Sequence, residues 1–170
     1  MTMSGNSHSS NPRPVALVAL LAERDGNAQI LLGRKLRGFG QGKIVLPGGK
    51  NEPGESSRQA AVREFFEETG LRVSGPELQL AARIEFRFSS LPAADMDCMT
   101  FIARSAEGQA ASSDELEPLW FRIDQLPVDE MWQDSKTWLP QLAAGQRFTA
   151  RIVLASDNIS VQTIDFDPWD

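Results

Sequence analysis

The chain opens its ordered pattern with a continuous apolar run, Val15 to Leu21, followed by a second, Ala28 to Gly33. Between them lies Arg24-Asp25-Gly26-Asn27, whose Asp-Gly core is a strong short hairpin signal. Lys43 to Leu46 reads as a short strand stopped by Pro47-Gly48-Gly49. Ser56 to Thr69 is the best helix in the sequence. Ser56 with Gln59 three residues on makes a capping box, and Gly70 supplies the stop. Leu78 to Phe88 and Asp97 to Arg104 read as paired strands, Leu119 to Ile123 as a short strand, and Ser135 to Ala144 as a second helix. Phe148 to Leu154 and Ile159 to Phe166 then form a terminal hairpin across Ser156-Asp157-Asn158. Strands interrupted by helices predict an α/β (α+β) domain, a mixed sheet flanked by helices.

The length of 170 residues suits one domain, expected over residues 14–167, behind a disordered tail at 1–13 that is rich in Ser and Asn. No apolar run approaches the ~18 residues of a membrane span, and the tail lacks the apolar segment of a secretory signal. The one cysteine, Cys98, excludes an intramolecular disulfide and fits a reducing cytoplasm. The one histidine, His8, sits in the tail, so Ser-His-Asp and Cys-His catalysis and His/Cys zinc sites are not available to the fold. A metal here must be a hard cation on oxygen ligands, which favours Mg²⁺ or Mn²⁺. The net charge of −6 argues against sequence-independent nucleic-acid binding.

The expected helix carries the chemistry. At ~100° per residue, Glu64, Glu67 and Glu68 share one face, while Ala61, Val62, Phe65 and Phe66 fall mostly on the other. Most such charge runs are solvated surface. Here, however, only Arg63, four residues before Glu67, offers local compensation, and clustered carboxylates short of cations are a natural seat for a divalent metal. The stretch from Gly33 to Lys50 holds Arg34, Lys35, Arg37, Lys43 and Lys50 and no acid. That strip is either ordinary surface or a seat for phosphates.

Gly49, five residues, Glu55, seven residues, Arg63-Glu64-Phe65, one residue, Glu67-Glu68, one residue and Gly70-Leu71 resemble the signature box of the Nudix hydrolase family, with Phe65 where the pattern has Ile, Leu or Val. The resemblance implies the Nudix fold, a mixed β-sheet sandwiched between helices. It also implies Mg²⁺-dependent hydrolysis of a nucleoside diphosphate linkage, with Mn²⁺ able to substitute. It makes Glu64, Glu67 and Glu68 metal ligands, joined by a backbone carbonyl at Gly48; the wider resemblance outside the box adds Glu115 from a loop, for which a plain loop acid is the competing reading. It pairs Glu55 with Arg63, which orients a catalytic carboxylate; which carboxylate takes the proton of water stays open.

Outside the box, Leu32 to Gly40, Trp120-Phe121 and Met131-Trp132-Gln133-Asp134 with Trp138 resemble the MutT-type members that hydrolyse oxidised purine nucleoside triphosphates. In that case Trp132 stacks on the purine, Asp134 bonds its edge, Phe39 and position 45 line the base pocket, and Lys35 and Lys50 sit near the substrate. Core or surface packing is the competing reading for both tryptophans, the stronger one for Trp138. Two departures stand out. Val45 replaces an asparagine that reads the base, and Ser135 replaces a second aspartate. A site losing base-edge partners loses discrimination between bases. The expected reaction is conversion of an oxidised purine triphosphate to monophosphate and pyrophosphate, a cleansing of the nucleotide pool. A Nudix pyrophosphatase acting on ADP-ribose or a dinucleoside polyphosphate, and a non-catalytic nucleotide sensor, are the alternatives. The expected partner is the nucleotide, with no nucleic acid and no membrane, on a monomer; a dimer stays open.

Overall fold

A computed structural model describes residues 11–169. Much of the expected tail, His8 included, lies outside them. Strand β1 (Arg13–Arg24) turns at Asp25 and Gly26, with φ of 52° and 79°, into β2 (Asn27–Lys35). Positive φ at both central residues is what the Asp-Gly signal demands. There follow β3 (Ile44–Val45), β4 (Gly48–Lys50), α1 (Ser57–Thr69), β5 (Gln79–Phe88), β6 (Met96–Ala103), β7 (Leu116–Arg122), α2 (Ser135–Ala143), β8 (Phe148–Leu154) and β9 (Val161–Pro168).

One mixed sheet runs β3-β2-β1-β6-β5-β8-β9, with β4 also paired to β1 and β7 to β2. β1 pairs β6 in parallel, as β5 pairs β8; β5–β6 and the β8–β9 hairpin are antiparallel. β1 lies inside the sheet with both faces covered, which is why its sequence is continuously apolar rather than alternating. Its Ala16, Val18 and Leu20 pack with Ala60, Ala61 and Phe65 of α1. Val15, Ala19 and Leu21 point the other way, toward Leu139 and Leu142 of α2. Two helices thus sandwich the sheet, as the alternation of strands and helices in the sequence implies. No helix among the described residues is long and apolar enough to cross a membrane.

The Pro47-Gly48-Gly49 segment departs from expectation. It does not simply stop a strand: Gly48 and Gly49 enter β4, opposite Leu17 and Ala16 of β1. A Cβ on Gly48 would collide with the Ala16 carbonyl, so only glycine lets the two backbones meet there. This close approach lays β4 alongside α1.

Candidate active site

Helix α1 is built as its termini indicate. Ser56 Oγ accepts from the Gln59 N–H at 3.1 Å, Gln59 Oε1 accepts from the Ser56 N–H at 2.9 Å, and Gly70 closes the helix at φ 77°. The cap fixes the rotational phase of the helix, and with it the heading of every carboxylate. The structure corrects two positions. Phe66, expected on the buried side, is 41% exposed, its ring covered by the Arg72 guanidinium 4.3 Å from the centroid. Glu68, expected on the open acidic face, is only 9% exposed. Its side chain reaches under β4, where the Gly48 N–H donates to Glu68 Oε2 at 3.3 Å. A helical wheel counts angles and does not see that β4 closes over half the acidic arc.

Arg63 is the centre of the acidic group. Its Nε donates to Glu55 Oε2 at 2.7 Å and its Nη2 to Glu55 Oε1 at 2.8 Å. Nη1 donates to Glu64 Oε1 at 2.9 Å and to Glu67 Oε2 at 3.2 Å, while Nη2 also reaches the Lys50 carbonyl at 3.1 Å. The two-pronged bond holds the Glu55 carboxyl down at about 2 and raises Arg63 beyond its ordinary value. Glu64 is pushed up, chiefly by burial, with Arg63 opposing and the charges of Glu67 and Glu115 adding. Burial lifts Glu68 to about 8; the Gly48 N–H and Lys35 oppose this, and Glu64 and Glu115 reinforce it.

A carboxylate buried beside two others, with too little positive charge to hold it ionised, is a site that a hard dication completes. Among the described residues no three His, Cys, Asp or Glu side chains are already gathered as a metal would need. Glu67 lies 54% exposed against Arg63, and Glu115 is bonded to Arg37 at 3.0 Å. Glu64, Glu68 and Glu115 nonetheless line one cavity with Gly48. Their donor chemistry, all oxygen, fits Mg²⁺ or Mn²⁺.

That cavity is about 800 Å³. Besides these acids it is lined by Lys35, Arg37 and Lys50 and by Phe39, Trp132 and Asp134. Arg34 and Lys43 of the basic strip do not line it. Arg34 bonds the Gly42 carbonyl and Glu130, and Lys43 Nζ lies 5.3 Å from the Trp132 ring centroid. Phe39 and Trp132 are stacked, centroids 5.1 Å apart and planes 24° from parallel, with Phe39 67% exposed. Lys35 Nζ donates to the Phe39 carbonyl at 2.6 Å and steadies that loop. Val45 lines the cavity, an apolar position as its side chain requires.

Asp134 is 6% exposed at the start of α2, and its Oδ2 accepts from Trp138 Nε1 at 2.8 Å. Burial pushes its carboxyl up from the ordinary aspartate value, and the Trp138 bond partly reverses that. Trp138, 4% exposed, is a core residue that orients Asp134, in line with the packing alternative weighed for it. Ser135 is buried beside it. Phe86 and Phe88 of β5 and Asn158 of the β8–β9 turn also line the cavity, and none of them was expected there from the sequence. The two phenylalanines carry only an alternating strand signal, and the turn residue carries none that points to a ligand.

The NUDIX domain model matches residues 11–142. The chain is 40% identical over 134 residues to the oxidized purine nucleoside triphosphate hydrolase of Danio rerio, covering 79% of this chain and 84% of that one. To the protein of the same name from Mus musculus it is 38% identical over 120 residues, 71% of this chain and 75% of the other. The crystal structure of the mutator MutT protein of Bacillus halodurans superposes with a TM-score of 0.77 at 23% identity, over 93% of this chain and 99% of that one, which speaks for the fold. Nudix hydrolases work on nucleotide substrates with divalent metal ions. The capped acidic helix, the β4 loop beside it and these matches agree, and the chain belongs to the Nudix family as a Nudix hydrolase.

Proposed function

We propose that this Nudix hydrolase converts oxidised purine nucleoside triphosphates to monophosphate and pyrophosphate with Mg²⁺, Mn²⁺ substituting, and so cleans the nucleotide pool of the cytoplasm. One observation carries the reading. A single cavity of about 800 Å³ is lined both by Glu64, Glu68 and Glu115 and by the stacked Phe39–Trp132 pair with Asp134. A triphosphate has that same division, with anionic phosphates at one end and a flat polar-edged ring at the other. The identity to two proteins named oxidized purine nucleoside triphosphate hydrolase supports the same substrate.

In this reading Glu64, Glu67, Glu68 and Glu115, with the Gly48 carbonyl, hold the metal. A dication held there would supply neutralisation of phosphate oxygens and acidify a water for attack at phosphorus. Arg63, locked by Glu55, holds Glu64 and Glu67 in register. Lys35, Arg37 and Lys50 receive the phosphates, and Trp132 stacks on the base while Asp134 bonds its edge. Val45 and Ser135 leave that edge thinly read, so discrimination between bases is modest.

The test is kcat/KM for 8-oxo-dGTP, dGTP, 2-hydroxy-dATP and ADP-ribose with Mg²⁺, with Glu67→Gln as control. The expected order places the oxidised purine triphosphates first, and the control loses about 10²–10⁴-fold. A preference for ADP-ribose overturns the proposal. Nucleotide binding with no phosphate product would instead assign a sensor.

A further inference from the structure

The base end of the cavity lacks polar partners where Val45 stands. A different part of the chain brings one. Asn158, at the tip of the β8–β9 hairpin, lines the same cavity as Asp134. Its φ is 60°, a left-handed conformation that asparagine tolerates better than most residues.

The turn is tied on two sides. On one, the Val161 N–H donates to Gln133 Oε1 at 2.7 Å, which anchors the hairpin to the residue just before Asp134. On the other, Ser90 Oγ lies 2.9 Å from the Ser156 carbonyl oxygen and 3.0 Å from the Asn158 carboxamide at Oδ1. A hydroxyl has one proton, and a main-chain carbonyl can only accept, so that proton belongs to Ser156. Carboxamide oxygen and nitrogen have nearly the same shape, and their placement follows from the hydrogen-bond network. Ser90 is therefore best satisfied when the amide NH₂ faces its Oγ, which turns the Asn158 carbonyl oxygen away from Ser90. Among the described residues no partner holds that other end of the amide.

We propose that Asn158 is a specificity-determining residue of the purine site, its carbonyl oxygen accepting hydrogen bonds from the N1–H and 2-amino edge of a guanine-type base. This rests on the reading of the cavity as an oxidised purine triphosphate site. Asp134 contributes a second acceptor, since Trp138 takes only its Oδ2. Two acceptors match an edge with two donors. An adenine-type edge presents a lone pair at N1 and faces one of them with repulsion.

The experiment compares 8-oxo-dGTP with 8-oxo-dATP, which share the oxidised five-membered ring and differ at the six-membered edge. The wild-type protein is expected to favour 8-oxo-dGTP in kcat/KM. Asn158→Gly keeps the left-handed turn and removes the amide, and is expected to lower that preference by about 5–10-fold, the worth of one hydrogen bond, mostly through KM. Asn158→Asp keeps an oxygen acceptor; both substrates slow because a negative charge meets an anion, while their ratio stays within about two-fold. Ser90→Ala, which frees the amide from outside the turn, is expected to lower the preference part of the way. An unchanged ratio in both Asn158→Gly and Ser90→Ala overturns the inference, as does its equal loss in Asn158→Gly and Asn158→Asp. A wild-type enzyme that hydrolyses both substrates alike also overturns it and leaves the proposed function standing. One that hydrolyses neither overturns the function itself.

Discussion

Arg63 and Glu55 form a two-pronged pair, Nε to Oε2 at 2.7 Å and Nη2 to Oε1 at 2.8 Å, and the same guanidinium then holds Glu64 and Glu67. A planar fork can do this; an ammonium cannot. Arg63→Lys is therefore expected to keep the fold and lower kcat by about 10²-fold, the scale of a catalytic group misplaced by an ångström. Circular dichroism and steady-state kinetics check it, and an unchanged kcat would show that Arg63 does not position the acids.

Glu68 has its carboxyl raised from 4.5 to about 8 in the metal-free protein, first of all by burial. The folded state thus binds a proton that the unfolded chain releases. Stability from this source is fully present below 4.5 and is lost as pH rises through about 8. The metal-free protein is expected to lose Tm across that window. Mg²⁺ restores it by replacing the proton, so Mg²⁺ affinity rises over the same range. Glu68→Gln flattens the Tm profile and abolishes the Mg²⁺ response. A wild-type Tm independent of pH in this window would contradict the assignment.

Gly49 packs so closely on α1 that an added Cβ would lie 2.5 Å from the Glu64 carboxyl carbon. Gly49→Ala must shift either β4 or Glu64. Its expected outcome is a large fall in kcat with a smaller change in Tm, because the displaced group is a functional acid and not core packing. Equal activity in Gly49→Ala and wild type would refute the close approach.

Trp138→Phe keeps the ring packing and removes the Nε1–H that Asp134 Oδ2 accepts at 2.8 Å. An acid 6% exposed then loses a partner, at about 1–3 kcal/mol in denaturant unfolding. Losing that donor also raises the Asp134 carboxyl further. The expected kinetic signature is a KM for purine triphosphates that changes at lower proton concentration than in wild type. Loss of stability without any kinetic change would confine Asp134 to a structural role.

What the sequence determined by itself was local. The Asp25-Gly26 turn, the Ser56–Gln59 cap, the Gly70 stop and the continuous apolar run of β1 all follow from residues within a few positions of one another. The acidic helix was legible for the same reason: spacings of three and four on a capped helix fix a face without reference to the rest of the chain.

Tertiary structure decided what covers that face and what closes the pocket. Glu68 is buried because β4 pairs with β1 and lies over the helix, and Phe66 stays 41% exposed with its ring against Arg72. Asn158 meets Asp134 in one cavity only because β8 pairs β5 while Gln133 and Ser90 grip the last turn. Periodicity encodes which side of an element is apolar. Which other element arrives there is a long-range contact, set by sheet order and register, and no local pattern records it.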